Sequence, residues 1–202
     1  MIKTIIFDIG NVLVEFDWQG YLKKFNFSEQ VNEKIAEATV RNDAWDELDR
    51  GVLTFDEMIK VFISNDPTIE EEIQLFFENV NDMLKQYSYT IPWIKKLKEN
   101  GYQVLVLSNF PENAHKQCEK ALNFLEYIDG GILSYQEKLI KPDPAIYQLL
   151  IDKYQLNPME CVFLDDRACN LEAAKEFGIA TILFFNQKQA MDELVKLGVN
   201  HD

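Results

Sequence analysis

The chain has 202 residues, 47% hydrophobic and 27% charged, a composition that supports one compact domain with room for an inserted subdomain. Lys and Arg number 20 against 34 Asp and Glu, and the net charge of −14 disfavours broad binding to nucleic-acid backbones. No apolar run approaches membrane-spanning length, Met1 to Asp8 is charged too soon for a secretion signal, and Cys118, Cys161 and Cys169 form no C-x-x-C pair, so the expected setting is a reducing cytoplasm without a membrane partner.

Ile2 to Phe7 is a short apolar run that stops at Asp8, as a strand buried on both faces does. Residues 17–90 read differently. Their apolar spacing is helical, through Phe55, Met58, Ile59 and Phe62, then Ile69, Ile73, Phe76, Phe77, Val80 and Leu84. No strand is read there. The block holds 16 acidic and 7 basic residues and is predicted to be an all-helical cap, inserted into a core made of residues 1–16 and 91–202. Pro92, Ile94 and Leu97 open a helix that stops at Asn100-Gly101. Gln103 to Leu107 reads as a second strand, and Ile128 to Leu133 as a further one interrupted by Gly130 and Gly131. Pro144 to Tyr154 is a helix behind Asp143 as N-cap. Cys161 to Leu164 is a strand, Leu171 to Phe177 a helix ending at Gly178, and Thr181 to Phe185 the last strand. This alternation predicts an α/β fold, a doubly wound, parallel, Rossmann-like sheet.

Ligands of parallel α/β sheets bind beyond the carboxyl ends of the strands. Asp8-Ile9-Gly10-Asn11 follows the first strand and Ser108-Asn109 the second. Lys141-Pro142-Asp143-Pro144 precedes a helix, and Asp165-Asp166, followed by Asn170, ends a later strand. Three carboxylates brought to one edge need a cation or protons to relieve their repulsion. Hard oxygen donors suit Mg²⁺, and Ser108 and Lys141 would then face a bound anion.

Phe7-Asp8-Ile9-Gly10-Asn11-Val12-Leu13, Leu107-Ser108-Asn109, Lys141-Pro142-Asp143 and Phe163-Leu164-Asp165-Asp166 resemble the four motifs of the haloacid dehalogenase (HAD) superfamily, in order and across the whole chain. The insertion after the first motif resembles that family's helical cap. The Asp-x-Gly-Asn form is similar to a branch of small bacterial phosphatases acting on sugar phosphates such as glucose 1-phosphate. The resemblance implies Asp8 as the nucleophile of a Mg²⁺-dependent phosphatase, forming an aspartyl-phosphate that water hydrolyses. Mg²⁺ would be held by Asp8, the main-chain carbonyl of Gly10 and Asp166, with Asp165 acting through water. Ser108, the main-chain N–H of Asn109 and Lys141 would bind the phosphoryl oxygens, and Asn170 would orient the Asp165-Asp166 loop. The implied partner is a small phosphorylated metabolite.

One position departs from the family pattern. Most family phosphatases carry an acid/base Asp two residues after the nucleophile, where this chain has Gly10. The missing acid implies a preference for good leaving groups, sugar 1-phosphates or aryl and acyl phosphates over 6-phosphates. Two alternatives stay beside the phosphatase: a 2-haloacid dehalogenase-like hydrolase, and a phospho-ligand binding protein without turnover. Trp45, Asp46, Asp49 and Arg50 read as a helix end with solvated charges in preference to a substrate contact. His115 reads as a surface histidine, and Asp17 is not favoured as a substitute acid.

Overall fold

The computed structural model describes residues 1–200. It runs β1 (Thr4–Phe7), β2 (Val14–Phe16), α1 (Trp18–Leu22), α2 (Glu29–Ala38), α3 (Ala44–Arg50), α4 (Phe55–Asn65), α5 (Glu70–Glu78) and β3 (Leu84–Gln86). Then come α6 (Thr90–Glu99), β4 (Gln103–Ser108), α7 (Glu112–Gln117), α8 (Glu119–Leu122), β5 (Gly130–Leu133) and α9 (Ser134–Glu137). The chain ends with α10 (Pro144–Tyr154), β6 (Cys161–Asp165), α11 (Ala168–Lys175), β7 (Ala180–Leu183) and α12 (Gln187–Lys196). No helix is long and apolar enough to cross a membrane among these residues.

Five strands form a parallel sheet in the order β5-β4-β1-β6-β7. The α/β reading holds. The chain leaves β1 toward β4 and β5, then crosses to β6 and β7, so the strand order reverses at the carboxyl end of β1. Every residue of β1 is buried, and its alternate side chains feed two layers. Ile5 and Phe7 join the apolar cluster holding Trp93 and Ile94 of α6. Ile6 points to the cluster of Ile146, Tyr147 and Leu150 from α10. The first cluster continues into Ile35, Met58, Phe62, Ile73 and Phe76 of α2, α4 and α5, so helices and sheet share that core.

The broken run at Gly130 and Gly131 is a strand because close approach requires glycine. A Cβ on Gly131, at φ +150°, would meet the Val106 carbonyl oxygen of β4 at 2.2 Å. The Asp143 capping signal also held, since Asp143 accepts from the Ala145 N–H; the structure adds a reciprocal capping box of Thr54 and Glu57 on α4.

The reading of residues 17–90 as free of strands is corrected at one place. Leu84–Gln86 is a strand, antiparallel to Val14–Phe16. Three residues with one buried side chain carry no period, and their pairing partner lies some seventy positions away in the chain.

Candidate active site

Register brings the site together. Phe7 pairs with Leu164, so Asp8 and Asp165 leave adjacent strands at the same level, and the Asp8 N–H donates to the Leu164 carbonyl at 2.8 Å. Asp8 is 7% exposed. Its Oδ1 accepts from the Ile9 N–H at 2.8 Å and faces the Lys141 ammonium at 2.9 Å. Lys141 also donates to Asp165 Oδ2 at 2.7 Å. Asp165 is fully buried and fully engaged, since Asn170 Nδ2 donates to both its oxygens at 3.0–3.1 Å and the Arg167 N–H to Oδ1 at 2.7 Å. Asp166 Oδ2 accepts from Asn11 Nδ2 at 3.0 Å.

Burial pushes the Asp8 carboxyl up to about 6, opposed by the Lys141 ammonium and helped by Asp165. Burial also raises Asp166. It works against charge on Lys141, but Asp8 and Asp165 outweigh it and hold that amine above its usual value. One ammonium is thus set among buried carboxylates, and the balance of charge is negative.

That balance fits a cation. Oxygens of Asp8, Asp165 and Asp166 lie within 4.8 Å of one another. All are hard donors of the kind Mg²⁺ takes. Asp165 is already held by Lys141 and Asn170, which leaves Asp8 and Asp166 with oxygens to offer directly.

Ser108 ends β4 fully buried, its hydroxyl beside the Asp8 carboxylate. Asn109 uses its side chain on the Lys141 backbone, with Oδ1 accepting from Lys141 N–H at 2.7 Å and Nδ2 donating to Lys141 C=O at 2.9 Å. Its side chain therefore sets where Lys141 stands.

Above these groups lies a cavity of about 430 Å³, of a size that takes a small molecule. Asp8, Gly10, Lys141 and Asp166 line its floor, and Trp45, Leu48 and Phe77 from α3 and α5 line its apolar wall. Asp46, Asp49, Asn113 and Arg167 also reach it.

Asp8, Gly10, Asn109, Lys141, Asp166 and Asn170 all line that cavity, with Ser108 and Asp165 directly behind. His115 does not; its Nδ1 pairs with the Tyr135 hydroxyl at 2.7 Å. Asp17 caps α1 through the Gly20 N–H and pairs with Lys85, which holds its carboxyl low. The solvated reading of the α3 end is right for Arg50, which pairs with Glu47 at the surface, and wrong for Asp49, which is 7% exposed. Arg167 and the contact of Asn11 with Asp166 were not read from sequence, although Asn11 stands inside the first motif.

Residues 2–178 match the family described as haloacid dehalogenase-like hydrolase. The chain is 31% identical over 199 residues to a D-ribitol-5-phosphate phosphatase of Bacteroides thetaiotaomicron, covering 90% of this chain and 91% of the relative. It is 25% identical over 177 residues to the sesquiterpene phosphatase astK of Aspergillus oryzae, covering 88% and 87%. The fold superposes with TM-score 0.69 on a HAD family enzyme from Bacteroides thetaiotaomicron in complex with magnesium and inorganic phosphate, at 24% identity over 90% of this chain and 93% of that one. With the family match spanning most of the chain, the protein belongs to the haloacid dehalogenase-like hydrolases.

Proposed function

We propose that this enzyme is a Mg²⁺-dependent phosphatase of a small phosphorylated metabolite of the sugar or polyol class, working through an aspartyl-phosphate on Asp8. One observation carries the reading: the Asp8 carboxylate stands at the floor of a small-molecule cavity, between the Lys141 ammonium and Asp166. The full-length likeness to a polyol-phosphate phosphatase supports the substrate class.

Asp8, the Gly10 carbonyl and Asp166 would hold Mg²⁺, with Asp165 acting through water. The ion would supply neutralisation of phosphate charge and alignment of the phosphoryl group. Ser108 Oγ, the Asn109 N–H and Lys141 Nζ bind the phosphoryl oxygens, where donors stabilise charge that grows in the transition state. The free Asp8 oxygen attacks phosphorus, the bond to the alcohol oxygen breaks, and water then hydrolyses the aspartyl-phosphate. Asn170 and the Arg167 N–H fix Asp165, which with Asn109 fixes Lys141. Residues 17–90 act as the cap that restricts entry to small soluble esters.

The test is a panel of sugar and polyol phosphates assayed with Mg²⁺ and after EDTA, with acid quenching to trap label on Asp8. Hydrolysis should require Mg²⁺, and Asp8→Asn should abolish both label and turnover. Full-rate turnover in EDTA would sink the reading, as would an active Asp8→Asn enzyme.

A further inference from the structure

The proposed reaction lacks one component. Breaking a P–O bond to an alcohol leaves an alkoxide unless a proton arrives, and Gly10 has no side chain to deliver one. The donor must reach the cavity from elsewhere, must be protonated at working pH and must have a free oxygen.

Asp49 has these properties. It sits in the last turn of α3 and lines the same cavity as Asp8, Gly10 and Lys141. Its side chain is buried, yet Oδ1 has no hydrogen-bond partner. Buried polar atoms are almost always paired, so an orphaned carboxyl oxygen in a cavity wall awaits a ligand. Its backbone is fixed where the side chain is free. The Ser134 hydroxyl donates to the Asp49 carbonyl at 2.5 Å, Gly51 ends the helix at φ +67°, and Lys138, just past α9, donates to the Gly51 carbonyl. Cap and core are thus tied together at the residue that lacks a partner.

Its burial, more than the charges around it, favours the protonated form. Asp46 on its own helix and Asp8 across the cavity repel a second carboxylate, while Lys141 and Arg167 attract one. Burial is the largest influence and drives the Asp49 carboxyl well above the carboxylate range. A carboxyl whose burial favours the protonated form is what the leaving oxygen needs.

We infer that Asp49, reaching in from α3, is the catalytic acid and base that replaces the side chain absent at Gly10. This rests on the phosphatase reading. As the P–O bond breaks, its electron pair stays on the leaving oxygen and the Asp49 proton moves to it, giving a neutral alcohol and an Asp49 carboxylate. That carboxylate then takes a proton from the water attacking the aspartyl-phosphate. The Asp8–phosphorus bond breaks, Asp8 returns as carboxylate, phosphate departs, and Asp49 is protonated again.

The test compares leaving groups in wild type and Asp49→Asn at saturating Mg²⁺. The probes are p-nitrophenyl phosphate, whose phenolate needs little protonation, and the best alkyl ester among ribitol 5-phosphate, glycerol 3-phosphate and glucose 6-phosphate. Because kcat/KM reports the step in which the alcohol leaves, the variant should lose about 10²- to 10⁴-fold on the alkyl ester and less than about tenfold on the aryl ester. Equal losses on both would overturn the assignment and make Asp49 structural. A wild type that hydrolyses neither ester would overturn the phosphatase reading and Asp49 with it. A measurement needing no variant runs alongside. In the wild type, kcat/KM for the alkyl ester should fall in alkaline solution where that for the aryl ester persists, and superimposable pH profiles would reject the proposal.

Discussion

The Ser134 hydroxyl donates to the main-chain carbonyl of Asp49 at 2.5 Å and accepts from the Phe110 N–H at 2.8 Å. One buried side chain at the start of α9 therefore satisfies a carbonyl of α3 and an amide of the loop after β4. Both segments line the cavity. The bridge therefore helps to hold the α3 end, and Asp49 with it, beside the cavity.

Ser134→Ala leaves both groups buried without a partner, which should cost about 1–3 kcal/mol of stability. Urea denaturation of variant and wild type measures it. Activity on alkyl esters should fall along with stability, since the α3 end loses its anchor. An unchanged denaturation midpoint would mean that water or a neighbouring group takes over the bridge.

Lys141 stands between Asp8 and Asp165 with almost no solvent contact. Lys141→Met strands two buried carboxylates, and at neutral pH should cost about 3–5 kcal/mol. The loss should shrink in acid. Asp8 already titrates near 6 with the ammonium beside it, and higher without it. A carboxyl with a raised folded-state pKa contributes stability at low pH that is lost as pH rises through that value. Stability of the variant relative to wild type, measured in acid and in neutral solution, decides the point; a penalty independent of pH would contradict it.

The same sign applies to Asp49. The folded protein holds its proton where the unfolded chain releases it, so folding weakens as pH rises. Asp49→Asn removes that term, so the variant should gain stability on the wild type as pH rises above the ordinary carboxylate range. Parallel stability profiles would mean that Asp49 ionises normally in the fold.

Much of the core was legible because it obeys local rules. β1, β4 and β6 are continuous apolar runs, and each ends at a residue that carries chemistry, so Asp8, Ser108 and Asp165 announce themselves by following a strand. β3, between Asp17 and Thr90, and its partner β2 just before that segment were illegible because their three-residue pairing is a property of two distant stretches. Asp49 failed for a related reason. Beside Asp46, Glu47 and Arg50 it looks like one more solvated charge. Its burial comes from α3 packing on α9, with Ser134 lying 85 positions further along the chain. Nothing in the local pattern of α3 distinguishes the buried carboxylate from the exposed ones.

The missing acid can also be put back where other family phosphatases carry it. Gly10 lies outside the left-handed region, and a Cβ built on it meets no atom within 4 Å, so the backbone there accepts a side chain. The substitution keeps the Gly10 carbonyl for the metal. In the wild-type background Gly10→Asp should change alkyl-ester kcat/KM little, because Asp49 already supplies the proton. In the Asp49→Asn background it should restore most of the lost alkyl-ester activity, to within about tenfold of wild type, while aryl-ester activity moves far less. Rescue by an acid on a different element separates proton donation from packing, since a side chain after β1 cannot repair a defect at the end of α3. It would also bear on the bias that Gly10 alone implies toward 1-phosphates and aryl esters. With Asp49 in place that bias should be small in the wild type, grow in Asp49→Asn, and shrink again in the double variant. A double variant no better on alkyl esters than Asp49→Asn would mean that the proton was never what the single variant lacked.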